Sequence, residues 1–359
     1  MSRKQVRIAI AGVGGCASSV VQGHFYYNQW KGKGNPPGVM NWDLGGYTPC
    51  DIVPVAAFDV DRRKIGKDIT EAIFEGPNCA YRYDAEIKPL GVEVMMGPVL
   101  DGVADYMMDY FQPSDAKPVD VGKILIETGA DVLCNFLPAG SHDATRYYAD
   151  QAIKVAKIGF VNGMPEYIAK DPEYRKAAEE NNVPIIGDDV KSQLGGTILH
   201  RAFVDCLVSR GITVSKTYQL NYAGNTDFKN MAFGPRGQLK HESKAAGISA
   251  FLPETVACSV AGAIVENMGD RKSTVFFFEG VNYGGAPLSL KAYLEVEDSP
   301  NFAGTIAEAV RYAKIARDRG IGGVLEAPSA FLMKNPVRQI SDKEAVGMLR
   351  EFVAGTLSA

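Results

Sequence analysis

The stretch Val6 to Val21, VRIAIAGVGGCASSVV, constrains this chain most. Val6 to Ala11 is a short apolar run, the pattern of a buried parallel strand. Gly12-Val13-Gly14-Gly15-Cys16-Ala17 follows at once and fits G-x-G-x-x-A, the dinucleotide fingerprint. Gly12 allows a tight turn, Gly14 lets backbone approach a pyrophosphate, and Ala17 keeps the following helix close to the sheet. The helix expected from Cys16 offers amides and a dipole to an anion. An ordinary strand–turn–helix corner can carry the same glycines, so context matters. Asp51 to Asp59, DIVPVAAFD, reads as a second strand ending in an acid placed for ribose hydroxyls. Asp59 lies 45 residues after Gly14 (59 − 14), where ~20 is usual. The Gly- and Pro-rich stretch from Trp30 to Cys50 accounts for the excess as an inserted loop.

Strand and helix patterns then alternate. Residues 60 to 76 read as a helix with Arg62, Arg63, Lys64 and Lys67 on a solvated face, and residues 77 to 118 as irregular. Val119–Thr128 reads as a helix, Asp131–Leu137 as a strand, His142–Ala156 as a helix. Lys157–Asn162, Asp171–Asn181 and Val183–Gly187 continue the alternation. This order predicts an α/β chain with a Rossmann-type doubly wound parallel sheet. Ligands of such sheets bind beyond the carboxyl ends of the strands. Leu137, Pro138, Asn162, Asp188 and Ser192 sit at those ends and join Gly12 to Ala17 and Asp59 as cofactor candidates. After about residue 195 the pattern changes. Leu194–Val208 reads as a helix, and Val214–Tyr222, Thr274–Phe278 and Leu288–Val296 as antiparallel strands of a second, α+β sheet domain. Asp298 to Asn301 closes that sheet, and a helix runs from Ala303 to a C-cap at Gly320. The expected domains are 1–192 with 303–359, and 193–302.

With 359 residues, two domains are the natural division. Net charge is −4, which gives no electrostatic case for nucleic acid or an anionic membrane. Six scattered cysteines without CxxC spacing suit a cytoplasmic protein with free thiols. No apolar run reaches transmembrane length.

Chemistry-bearing residues cluster in few places. Asp188-Asp189-Val190-Lys191-Ser192 follows a strand and offers carboxylates for a cation, a sugar hydroxyl or a lysine; a helix N-cap is the plain alternative. Lys240 and Lys244, four apart in LKHESK, share one helical face and repel unless an anion lies between them. A solvated basic face is the plain reading. Asn225 and Asp227 follow a strand as sugar binders or turn formers. Lys272 lies in GDRKS. Lys334 follows the apolar FLM, where a dry setting lowers a lysine's proton affinity. With four histidines and no HExxH, acid–base work falls to Lys and Asp.

The ordered motifs GVGGCASS, AAFDVD, GPVLDG, NFLPAGS, FVNGMP, GDDVKSQLG, NYAGNTDFKNM, LKHESK, LEVEDSPN, AKIARDRGIGG and SAFLMKNP together resemble the myo-inositol-1-phosphate synthase family, in its short prokaryotic form. The resemblance implies conversion of D-glucose 6-phosphate to 1D-myo-inositol 3-phosphate (L-myo-inositol 1-phosphate), NAD-dependent but redox-neutral, usually by a homotetramer. A divalent or monovalent cation is a further possible cofactor, with no ligands assigned. Carried over, Gly12, Val13, Gly14, Gly15, Cys16 and Ala17 are the pyrophosphate corner and Asp59 the ribose ligand. Lys240, Lys244, Lys272 and Lys334, with Asp189 and Asp298, are the catalytic set, and Asn225 and Asp227 join the lysines at the substrate. FLPETVACSVAGAIVENMG, between Lys244 and Lys272, departs from the family pattern. This leaves open a paralogue cyclising another sugar phosphate, such as fructose 6-phosphate, beside a net NAD-dependent dehydrogenase and a non-catalytic NAD sensor.

Overall fold

The computed structural model describes residues 4–232 and 256–356. Lys240 and Lys244 lie outside the described residues. The first half alternates as the sequence predicts: β1 (Val6–Ala11), α1 (Gly15–Asn28), β2 (Ile52–Asp59), α2 (Ile69–Ala72), β3 (Val94–Met96), α3 (Val121–Glu127), β4 (Val132–Asn135), α4 (His142–Asp150), β5 (Gly159–Asn162), α5 (Pro172–Asn181) and β6 (Pro184–Ile186). Then come α6 (Gly196–Ser209), β7 (Thr213–Ala223), α7 (Thr226–Ala232), β8 (Ala257–Ile264), β9 (Arg271–Val281) and β10 (Pro287–Glu297). The chain returns through α8 (Asp298–Asp318), β11 (Gly323–Val324), α9 (Glu326–Leu332) and α10 (Asp342–Ala354).

Seven strands form a parallel sheet in the order β11-β6-β5-β4-β1-β2-β3. Direction of winding reverses between β1 and β4, so a crevice opens beyond their carboxyl ends. One face of the sheet packs on α1, α8, α9 and α10 through residues such as Ile8, Val21, Ile306 and Phe352. The other packs on α3, α4 and α5 through Phe58, Leu125, Tyr148 and Phe160. Four further strands, β10-β9-β7-β8, pack one face on α6 through Phe276, Phe278 and Val204.

Four expectations need correction. The helix over 60–76 shrinks to Ile69–Ala72, because Asp68 caps it from a turn by accepting Thr70 N–H at 2.9 Å. The second sheet has a strand the sequence reading lacks: β8 pairs parallel with β7, while the three expected strands, β7, β9 and β10, pair antiparallel as predicted. The stretch Asp298 to Asn301 opens α8 instead of ending a sheet, since Pro300 sits in the first turn, where a missing N–H costs nothing. β3, inside the stretch read as irregular, extends the parallel sheet. The inserted loop over Trp30–Cys50 is tied to α8 by a buried ion pair. Arg311 pairs with Glu308 and donates to Asn41 O at 2.8 Å, while Glu308 accepts from Asn41 N–H at 3.1 Å. All six cysteines are free, and no helix among the described residues is long and apolar enough to cross a membrane.

Candidate active site

A deep cleft lies at the sheet's reversal point and is closed on its far side by the mixed sheet. Its floor is the turn after β1. Gly12 has φ +94°, and a Cβ there would stand 2.7 Å from Phe136 O. Only glycine fits that approach of β1 to β4. Gly14 caps α1 without a side-chain hydrogen bond, and a Cβ on it would meet nothing within 4 Å. The first turn of α1 carries no acidic residue. An uncapped helix N-terminus facing an open cleft is a ready anion site.

Asp59, at the end of β2, is fastened beside this turn. Its Oδ2 accepts Val13 N–H at 2.7 Å, and Oδ1 accepts from Val60 and Asp61 at 2.7 and 2.9 Å. Burial favours its neutral form, but Lys64 and these three amides outweigh that and hold the carboxyl below its ordinary range. Lys64 is 3% exposed and donates to Val13 O at 2.7 Å. This corrects its expected place on a solvated helical face.

Two lysine–aspartate pairs also line the cleft. Lys334 Nζ donates to Asp189 Oδ1 at 2.7 Å. Asp189 adopts φ +62°, a conformation that Asp tolerates better than most side chains and that turns its carboxylate into the cleft. Lys272 Nζ donates to Asp298 Oδ1 at 2.9 Å. Asn225 bridges Asp298 and Asp270 at 3.3 and 3.2 Å. Asp270 also receives Ser299 N–H and Oγ–H, each at 2.9 Å. Burial and the like charge of Asp298 push Asp270 up to about 7, against the hydrogen bonds from Ser299 and Asn225. Asp270 thereby caps α8 from another strand. A Cβ on Gly15 would lie 2.6 Å from Ser299 Oγ, so the N-termini of α1 and α8 meet at one point of the cleft.

Known proteins resemble this chain along nearly its whole length. A family model described as myo-inositol-1-phosphate synthase matches residues 195–299. Inositol-3-phosphate synthase of Mycolicibacterium smegmatis is 45% identical, with 98% of each chain covered. The enzyme of the same name from Corynebacterium glutamicum is 42% identical over 98% of this chain and 99% of its own. This chain belongs to the myo-inositol-1-phosphate synthase family. The crystal structure of Ari2, 31% identical, superposes with a TM-score of 0.81 over 98% of this chain and 99% of that one.

In this family member Gly12 to Cys16, Asp59, Leu137, Pro138 and Ser192 line the cleft from the parallel-sheet side. Asp189 and Lys334, which follow β6 and α9, line it too, as do Asn225, Asp227, Lys272 and Asp298 from the segments around the mixed sheet. Three cofactor candidates do not line it. Ala17 is buried on the core-facing side of α1, and Asn162 and Asp188 are buried against each other, joined by a 2.8 Å hydrogen bond. Burial pushes Asp188 up to about 7, against amides of Asn162, Ala169, Ile168 and Lys170 that favour its anion.

Asp270, Ser299 and Lys64 escaped the sequence reading, as did the strap from Pro98 to Phe111 that lines the cleft mouth. Asp101 fastens this strap to α4 by accepting Asp143 and Ala144 N–H at 3.0 and 2.8 Å. Tyr106 fastens it to α7 through Asn230 O at 2.8 Å. GPVLDG, quoted for the resemblance, was the one signal pointing to the strap. Among the described residues no three His, Cys, Asp or Glu side chains gather as a metal would need.

Proposed function

We propose that the protein cyclises D-glucose 6-phosphate to 1D-myo-inositol 3-phosphate, the reaction of an inositol-3-phosphate synthase. The observation that carries this is the presence of two Lys–Asp pairs, Lys334–Asp189 and Lys272–Asp298, in the lining of one cleft whose floor is a dinucleotide corner. NAD fits that corner: the pyrophosphate on the amides after Gly14, the adenosine ribose on Asp59. A carboxylate there repels a 2′-phosphate, which selects NAD over NADP. Bound NAD supplies hydride acceptance from C5 and its later return, so no net oxidation results.

The chain's own groups handle protons and developing charge. Lys334 takes the proton of the C5 hydroxyl, and Asp189 orients its amine. Lys272, held by Asp298, stands as a cation for the phosphate or the C1 oxygen. Asn225 and Asp227 bind sugar hydroxyls. The family resemblance gives Lys240 the C5 chemistry along with Lys334, and Lys244 the phosphate or C1 oxygen along with Lys272. A homotetramer is the proposed assembly.

Pure protein incubated with NAD⁺ and glucose 6-phosphate should give inositol phosphate by NMR without accumulating NADH. Fructose 6-phosphate in a parallel tube should give no cyclitol. A cyclitol from that tube alone means the paralogue activity, and steady growth at 340 nm means a net dehydrogenase.

A further inference from the structure

Behind the Lys334–Asp189 pair lies a second charge cluster that the proposed steps leave unused. Residues 188–191 and 332–335 run side by side as a short ribbon. Asn335 N–H donates to Asp188 O at 2.9 Å, Lys334 N–H to Asp189 O at 2.6 Å, and Lys191 N–H to Leu332 O at 2.8 Å. Lys191 thus leaves the same ribbon that presents Asp189 and Lys334. Its side chain, however, is away from the cleft lining and the residue is 2% exposed.

Lys191 Nζ donates to Ala330 O at 2.8 Å and pairs with Asp342 Oδ1 at 3.1 Å. Arg201, also buried, reaches the same carboxylate oxygen at 3.7 Å. Its other nitrogen donates to Gln339 Oε1 at 2.8 Å, and Gln339 Nε2 donates to Lys334 O at 2.6 Å. Two buried cations therefore share one carboxylate that is itself one-third exposed, beside the ribbon whose backbone carries Lys334. A packed apolar side chain would fill the space of Lys191 at less cost. Burial lowers Lys191 to about 8, Asp342 opposes this, and the charges of Arg201 and Lys334 lower it further. The Lys191 and Lys334 charges are thus coupled.

We propose that Lys191 is a positioning residue for proton transfer at Lys334, forming with Arg201 a buried positive wall that offsets Asp189 and leaves the Lys334 amine able to release its proton. This rests on the reading of Lys334 as the C5 base. Among the described residues, the charged groups acting on Lys191 are Asp342 from α10, Arg201 from α6 and Lys334 from the ribbon. α8 adds the Thr305 hydroxyl, a donor to Lys191 O at 2.9 Å, and α9 the Ala330 carbonyl.

The test is the pH profile of kcat in three variants, with NAD affinity measured alongside. Lys191→Met removes a positive neighbour, so Lys334 holds its proton more tightly and the acid limb moves up by about one pH unit. Lys191→Arg keeps the charge and the wild-type limb. Asp342→Asn removes a negative neighbour and moves the limb the opposite way. NAD affinity stays unchanged throughout. Should Lys191→Met fail to fold, the downward shift in Asp342→Asn decides alone. Unmoved limbs, or shifts in one common direction, overturn the proposal. Lys334→Met separates the two claims. An active Lys334→Met sinks the C5-base reading and this inference with it, whereas an inactive one with unmoved limbs sinks only the part given to Lys191.

Discussion

Lys272 and Lys334 reach the cleft from positions 62 residues apart (334 − 272), and each arrives beside a carboxylate. An ammonium held this way is oriented before substrate arrives, which is where its catalytic worth lies. Lys272→Met and Lys334→Met should each lower kcat by ~10²–10⁴ while NAD titrations remain at wild-type affinity. Near-normal rates in both would return these lysines to ordinary surface charges. Asp270 gives a pH prediction of its own. Its carboxyl titrates at 3.8 when free and at about 7 in the fold, so folding takes up a proton between those limits. Its contribution to stability is whole below about pH 4 and fades as pH rises through 7. Urea unfolding of Asp270→Asn at pH 5 and pH 7.5 should therefore show a smaller stability difference than wild type. Both lysines were legible because motifs flanked them. Lys64 was not, because Arg62, Arg63 and Lys67 around it make the run read as solvated, and only the turn after β2 sends its side chain inward. Asp270 was invisible for a similar reason. Its partners Ser299 and Asn225 come from distant elements.

At the scale of elements, the β1–α1 corner was readable because its requirement is local. Gly12 must hold φ +94° against the backbone of Phe136, and no other residue type does so without strain. Gly12→Ala should cost about 1–3 kcal/mol in stability and weaken NAD binding, measured by thermal unfolding and by fluorescence titration. An unchanged melting point would mean that the turn relaxes freely. The start of α8 was misread because its cap is delivered from elsewhere. Asp270 supplies a carbonyl to Asp298 N–H at 3.0 Å and a carboxylate to Ser299 N–H, and neither contact leaves a trace within DSPN itself. β8 was missed because it is short on large apolar residues and its parallel partner, β7, lies over thirty residues upstream. α8 also carries the Arg311–Glu308 pair that pins the inserted loop, both side chains buried. Removing one partner of such a pair leaves an uncompensated charge, so Arg311→Met should destabilise by about 3–5 kcal/mol in chemical denaturation. A neutral result would show the loop to be held by its backbone contacts alone.

At the scale of the whole molecule, the mixed sheet has one covered face and one open one. α6 covers Phe276 and Phe278. On the open side strand register lines up Ala261, Leu220, Val275 and Tyr293 in one row across four strands, and Ser259, Tyr218, Phe277 and Lys291 in the next. Leu220 and Tyr218 are 37% and 43% exposed and Tyr293 is 60% exposed, while Tyr218 stacks on Phe277 with ring centroids 4.9 Å apart. A solvated sheet face normally alternates to polar side chains. Leu220, Val275 and Tyr293 of one row and Tyr218 and Phe277 of the next instead make a contiguous apolar patch of the kind that subunits cover. This face is the proposed seat of the tetramer contact. Tyr218→Lys combined with Leu220→Lys places two charges in its centre, each of which would have to be desolvated against the other subunit. Sedimentation velocity should then show the assembly falling to a smaller species, with NAD affinity retained because neither residue lines the cleft. A double variant that still sediments at the wild-type mass would move the contact to another surface, and a wild-type protein that sediments as a monomer would remove the tetramer itself.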